Sequence, residues 1–90
     1  NGIAIRLTEE RWDHISCGHP ELAGQEREIL TTVSSPDIIH KGDFDTLMAV
    51  RRIGDLNLVV IYKETSPEDG FVVTAYLAAR LRRRSVVWRH

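Results

Sequence analysis

The stretch Thr46-Leu47-Met48-Ala49-Val50-Arg51-Arg52-Ile53-Gly54-Asp55-Leu56-Asn57-Leu58-Val59-Val60-Ile61-Tyr62-Lys63 decides the fold. Two runs rich in β-branched and large apolar residues flank Gly54-Asp55, a pair suited to a two-residue loop of the primed kind. The segment therefore reads as a β-hairpin with strands over Thr46 to Ile53 and Leu56 to Lys63. If Ile53 faces Leu56 across the turn, Arg51 faces Leu58 and shares a sheet face with Val60 and Tyr62. Arg52 then lies on the other face with Asn57, Val59, Ile61 and Lys63. Arg51 and Lys63 are thus expected on opposite faces.

Toward the C-terminus, Pro67 through Gly70 makes another turn before a strand over Phe71 to Leu77. Thr74 and Tyr76 share one face of it, with Val73 and Ala75 on the other. The turn is too long to fix which face aligns with Arg51. Toward the N-terminus, Ile38-Ile39-His40 is a short strand candidate and Lys41-Gly42-Asp43 a turn. Before residue 38 the apolar period is helical. A first helix starts at the Thr8 cap, carries Glu9 and Glu10 in its first turn, and presents Trp12 and Ile15 as its apolar stripe. Gly18, suited to a left-handed position, and Pro20, which turns His19 away from helical geometry, end it near Cys17-Gly18. A second helix is expected from Pro20 to about Val33, with Leu22, Ile29, Leu30 and Val33 facing a core, and Ser34-Ser35-Pro36-Asp37 ends it. The expected fold is α+β: two N-terminal helices packed on a four-stranded antiparallel sheet, one domain over residues 1–90 with a basic tail at about 80–90.

Composition sets the class. A chain of 90 residues, 42% hydrophobic and 28% charged, has material for one modest core. No apolar run approaches the roughly 20 residues of a membrane span, and the first residues lack a signal-peptide pattern. With Cys17 as its one cysteine, the chain has no internal disulfide, and a reducing cytoplasm is the expected compartment. Asn1-Gly2 opens without an initiator methionine, as in a trimmed chain. The net charge of -1 hides a polarity: residues 1–45 carry nine acids and four bases, whereas residues 71–90 carry five arginines and no acid. That basic pole suits a polyanion, a solvated tail or an acidic partner protein.

Two histidines stand close together in Trp12-Asp13-His14-Ile15-Ser16-Cys17-Gly18-His19-Pro20-Glu21. Histidine is the side chain best matched to proton transfer near neutral pH. Five residues apart on a helix, the two rings point about 140° from one another, unlike the i, i+4 pair of a zinc helix. No neighbouring third ligand completes a site, so neither metal nor cofactor is expected. Structural roles stay equally open, His14 at the edge of the Trp12/Ile15 stripe and His19 capping the second helix. Cys17 reads as a packing residue rather than a nucleophile. No glycine-rich phosphate loop is present; Gly54 and Gly70 are explained by turns.

The order helix, helix, four-stranded sheet, with Glu10-Arg11-Trp12-Asp13-His14-Ile15, His19-Pro20-Glu21-Leu22, Val59-Val60-Ile61-Tyr62 and Thr74-Ala75-Tyr76, resembles the small phage-type members of the barnase/EndoU/colicin/RelE nuclease superfamily. The resemblance spans about residues 5 to 84. It implies a RelE-like toxin that cleaves RNA without a metal and is neutralised by a cognate antitoxin protein. Such chemistry asks for a base at a ribose 2′-hydroxyl, an acid at the leaving 5′-oxygen, and cations for the charge that builds on phosphorus. His14 is the leading acid or base and His19 the second. Thr74 and Tyr76 complete the catalytic set, by hydrogen bonding phosphate or orienting a base, against the alternative of ordinary half-buried strand residues. Arg51 and Lys63 are the cation candidates, one of them expected to be structural, and Arg80, Arg82, Arg83 and Arg84 are expected to contact RNA. Two other classes remain: a non-catalytic RNA- or protein-binding module on the same fold that uses the arginine tail, and an antitoxin-like or structural component of a larger assembly.

Overall fold

In the computed structural model, which describes residues 4–81 and 86–89, the central hairpin has the expected register. β3 (Leu47–Ile53) and β4 (Leu56–Ser66) run antiparallel, with Ile53 opposite Leu56, Arg51 opposite Leu58 and Arg52 opposite Asn57. Gly54, at φ 59°, supplies the positive φ that primed turns require at their first central residue. β2 (Ile38–Lys41) pairs with the outer edge of β3, and β5 (Asp69–Ala78) with the outer edge of β4, completing the four-stranded antiparallel unit.

The sheet then exceeds the expectation at both ends. β1 (Ala4–Arg6) adds to β5 in parallel, and β6 (Val86–Arg89) adds to β2 antiparallel. The result is a mixed six-stranded sheet in the order β1-β5-β4-β3-β2-β6, so the purely antiparallel four-stranded sheet is corrected while the α+β class holds. Strands of three and four residues show too few alternations to register as a period in sequence. Part of the expected basic tail is therefore sheet, and Arg82, Arg83 and Arg84 lie outside the described residues.

Helix α1 (Glu9–Gly18) begins as read: the Thr8 hydroxyl accepts from the Arg11 N–H at 3.2 Å, with Glu9 and Glu10 in the first turn. It takes Gly18 into its last turn and closes where the His19 N–H donates to the Ile15 carbonyl at 2.8 Å. The continuous second helix is corrected. Pro20–Leu22 forms a single 3-10 turn, the chain breaks at Gly24 with φ 80°, and α2 runs over Glu26–Ser34. The left-handed glycine is thus Gly24, not Gly18. A break there re-aims the chain, so that Leu22 and Ile29 both reach the core without sharing a helix.

Both helices cover one sheet face. Ile15, Leu22, Ile29 and Val33 pack against Leu58, Val60, Val72 and Ala75, with Trp12 at the rim. Leu30, expected in this core, is 40% exposed, because Ile29, Thr32 and Val33 already fill the inward side of α2. The other sheet face has its own buried cluster of Met48, Val50 and Val59, flanked by Ile38, Ile61 and Tyr76. Neighbouring Val59 and Val60 are both fully shielded on opposite faces, which explains the unbroken apolar run of β4.

A bulge between Ile61 and Tyr62 sets which β5 residues face which way. Ile61 is opposite Thr74, but Tyr62 is opposite Val72, so Val73 is the extra residue. Thr74 and Tyr76 consequently share the face of Ile61 and Val59, away from Arg51 and the helices. Val73, expected on the side of Ala75, instead lines the same cleft as Thr74.

Two stability predictions arise. Ile29→Ala, which empties a fully buried position, is expected to cost about 2–5 kcal/mol in urea unfolding, and Leu30→Ala less than about 1 kcal/mol. Burial, then the nearby Glu64 carboxylate, push the Tyr62 phenol up to about 12. Because the folded state holds this proton above the unfolded value near 10, the contribution is complete below pH 10 and is lost as pH rises from there toward 12. Thermal melts of Tyr62→Phe are expected to lose less stability than wild type between pH 9 and pH 11.5, values spanning roughly that window.

Candidate functional site

The sheet face away from the helices carries two rows of side chains across four strands. Thr74, Ile61, Met48 and His40 form one row, and Tyr76, Val59, Val50 and Ile38 the next. Their exposed end is a cleft lined by Gly42, Asp43, Phe44, Thr46, Met48, Ile61, Val73, Thr74 and Tyr76. Its floor is apolar, from Met48, Ile61 and Val73. Its polar groups are the hydroxyls of Thr46, Thr74 and Tyr76 and the Asp43 carboxylate.

His19 reaches this face around the edge of β5. β1 pairs with β5 only over Asp69–Phe71, and the 3-10 turn after α1 packs against β5. Leu22 at the end of that turn is buried in the helix-side core and anchors it, while His19 at its start is partly exposed. The His19 ring lies 6.3 Å from the Tyr76 ring, centroid to centroid, tilted by 35°. Its Nδ1 is 3.4 Å from Glu21 Oε2, within reach of an ion pair when the ring is protonated.

The remaining expected residues are dispersed. His14 is exposed on α1 in a groove with Thr8, Glu10 and Arg11, apart from the cleft that holds Thr74 and Tyr76. The adjacency of the two histidines in sequence is therefore not an adjacency at one site. Arg51, offered as a cation for phosphate, lies on the helix-facing side. Its guanidinium pairs with Glu28, and its Nε–H donates to Thr32 Oγ1 at 3.3 Å. Thr32, fully buried, donates in turn to the Glu28 carbonyl at 2.7 Å. Arg51 thereby ties α2 to β3. Lys63 shares the face of Thr74 and Tyr76, half-buried opposite Phe71. Arg80 is exposed just past β5.

Three contributors were missed in sequence. Glu21 was read only as part of the His-Pro-Glu motif, although its place two residues after His19 could have signalled the pairing. His40, buried in the Thr74 row, sits on a strand too short to assign a face. Phe44 was hidden inside a turn. Among the described residues, no three His, Cys, Asp or Glu side chains come together as a metal-binding group, and no helix is long and apolar enough to cross a membrane. Comparison with family models, with curated protein sequences and with solved structures returned no match to the chain.

The different surroundings of the two cations give a test. Arg51→Ala is expected to lower unfolding free energy by about 1–2 kcal/mol, as a partly buried ion pair and stem packing are lost. Lys63→Ala is expected to change it by less than about 0.5 kcal/mol in the same urea titration.

Proposed function

We propose that the chain is a metal-independent endoribonuclease of the RelE-like toxin type, with the reacting groups gathered at His19, Thr74 and Tyr76. The observation that carries this reading is the approach of the His19 ring to Tyr76 at one edge of a hydroxyl-lined cleft. It supports His19, rather than His14, as the principal proton-transfer group.

In the reaction, a base takes the proton of a ribose 2′-hydroxyl, and that oxygen attacks the adjacent phosphorus. The bond from phosphorus to the 5′-oxygen breaks, and an acid returns a proton to the leaving oxygen. The products are a 2′,3′-cyclic phosphate and a 5′-hydroxyl. His19 supplies one of the two proton transfers through Nε2, with Glu21 at Nδ1 as its positioning residue. The Tyr76 hydroxyl is the group placed to work with it. Thr74 donates to a non-bridging oxygen, and Lys63, on the same face, offsets charge as the phosphorane forms. RNA and a neutralising antitoxin protein are the proposed partners, with Arg80 and the arginines that follow it supplying attraction for the polyanion.

Cleavage of single-stranded RNA and of ribosome-bound RNA in the presence of EDTA tests the reading. His19→Ala is expected to lower turnover about 100-fold or more and Tyr76→Phe about 10-fold or more, whereas His14→Ala changes it less than about 3-fold. The opposite order for the two histidines overturns the assignment to His19. Absence of cleavage by the folded wild type on every RNA and ribosome preparation replaces the enzyme with a binding module on the same fold.

A further inference from the structure

Phe44 buries almost none of its surface. Its side chain is 93% exposed, and its backbone lies in the left-handed region at φ 54°, followed by Asp45 at φ 62°. A turn selected for geometry alone would place glycine or asparagine there, since a bulky side chain is unfavourable at positive φ. The loop is nonetheless closely built. The Gly42 N–H donates to the Thr46 carbonyl at 2.9 Å, and the Thr46 N–H to the Asp43 carbonyl at 3.1 Å. A β-carbon on Gly42 would run into the Thr46 side chain and press on Met48. A rigid turn thus holds a flat apolar ring in water at the mouth of the cleft that Thr74 and Tyr76 line.

We propose that Phe44 is a stacking platform for an unpaired nucleobase, preferentially a purine, of a single-stranded RNA whose backbone crosses the cleft. The inference rests on the ribonuclease reading and deepens it by naming the form of substrate. Several features favour a base over other occupants. The cleft beside the ring offers three hydroxyls, from Thr46, Thr74 and Tyr76, and Lys63 lies on the same sheet face. Asp45, the next residue of the turn, opposes phosphate there, so the base goes to Phe44 and the phosphates to the side of Lys63. Its carboxylate also opposes insertion into an anionic lipid surface. Phe44 stands on the turn before β3 and Thr74 on β5, two different parts of the same lining. The larger face of a purine stacks better on the ring. A duplex cannot offer an unstacked base, which restricts the substrate to single strands.

The test uses fluorescein-labelled 2′-O-methyl hexanucleotides, which lack the attacking hydroxyl, with binding read by anisotropy. Phe44→Ala is expected to weaken binding about 10-fold, the middle of the range for losing one base-aromatic stack, and Phe44→Trp to retain it. One abasic position should bring wild type down to the Phe44→Ala level while leaving that variant indifferent. Because the ring is exposed, melting temperatures of the variants should match wild type. Equal binding by wild type and Phe44→Ala, absence of binding to any single strand by wild type, or equal affinity for duplex each overturns the inference. So does a protein partner lost by Phe44→Ala while RNA binding is unchanged. Cleavage of the matching ribo-oligonucleotides separates the two readings. Phe44-dependent binding without cleavage sinks the ribonuclease and keeps the platform, whereas cleavage with Phe44-independent binding does the reverse.

Discussion

The structure depends on the burial of β4 from both sides. Val59 and Val60 are consecutive, point to opposite faces and are both fully shielded, so each face of the sheet must carry apolar cover. The helices supply it on one side through Ile15, Leu22, Ile29 and Val33. On the other side, among the described residues, Met48, Val50 and Val59 are flanked by Ile38, Ile61 and Tyr76. This gives the sheet a helix-covered face and a second face with its own apolar cluster. The candidate site lies at the rim of the second face, where Tyr76 serves both the apolar cluster and the cleft. Asn57, at the end of the same face, is buried and donates to the carbonyls of Ala78 and Ala79 at 3.2 and 3.5 Å, which fixes the chain as it leaves β5.

One residue of register gives β5 its chemical face. Without the extra Val73, the alternation that puts Val72 beside Tyr62 on the core side would carry Thr74 there as well and send Ala75 outward. The bulge lets Val72 and Ala75 both join the helix-side core and still turns Thr74 and Tyr76 to the cleft. A bulge sacrifices one pair of ladder hydrogen bonds locally, and here it separates residues that pack from residues that can meet a ligand.

The parts of the fold legible in sequence are those governed by local rules. The Gly54-Asp55 turn gave the register of β3 and β4, and hence the opposition of Arg51 and Lys63. The Thr8 cap with Glu9 and Glu10 located the start of α1. What escaped depends on partners far along the chain. Sequence makes one of Arg51 and Lys63 structural without saying which, because the partner that decides it, Glu28, lies 23 residues before Arg51. β1 needs β5, some 65 residues later, before its three residues become a strand. The helix expected to begin at Pro20 had adequate periodicity, but periodicity does not register that Gly24 takes φ 80° and resets the phase between Leu22 and Ile29. For the candidate site, residue types were legible and grouping was not: His14 and His19 are neighbours in sequence, yet the end of α1 falls between them.

That separation shows how the cleft is held together. Thr74 and Tyr76 are fixed by the β4–β5 ladder, where they stand opposite Ile61 and Val59 in the regular stretch that runs from the bulge to Ala78. His19 has no such ladder. It is placed by the end of α1, by Pro20 with its fixed φ, by Glu21 at its Nδ1, and by Leu22, whose burial nails the short turn to the core on the opposite side of the sheet. The ring that meets Tyr76 is thus positioned by packing on the helix side, and the tyrosine by pairing within the sheet. The geometry between them is set by how those two independently stabilised layers meet at the edge of β5. A perturbation of Leu22 and a perturbation of the bulge at Val73 would reach the same pair of rings by different routes, one through the core and one through the strand register.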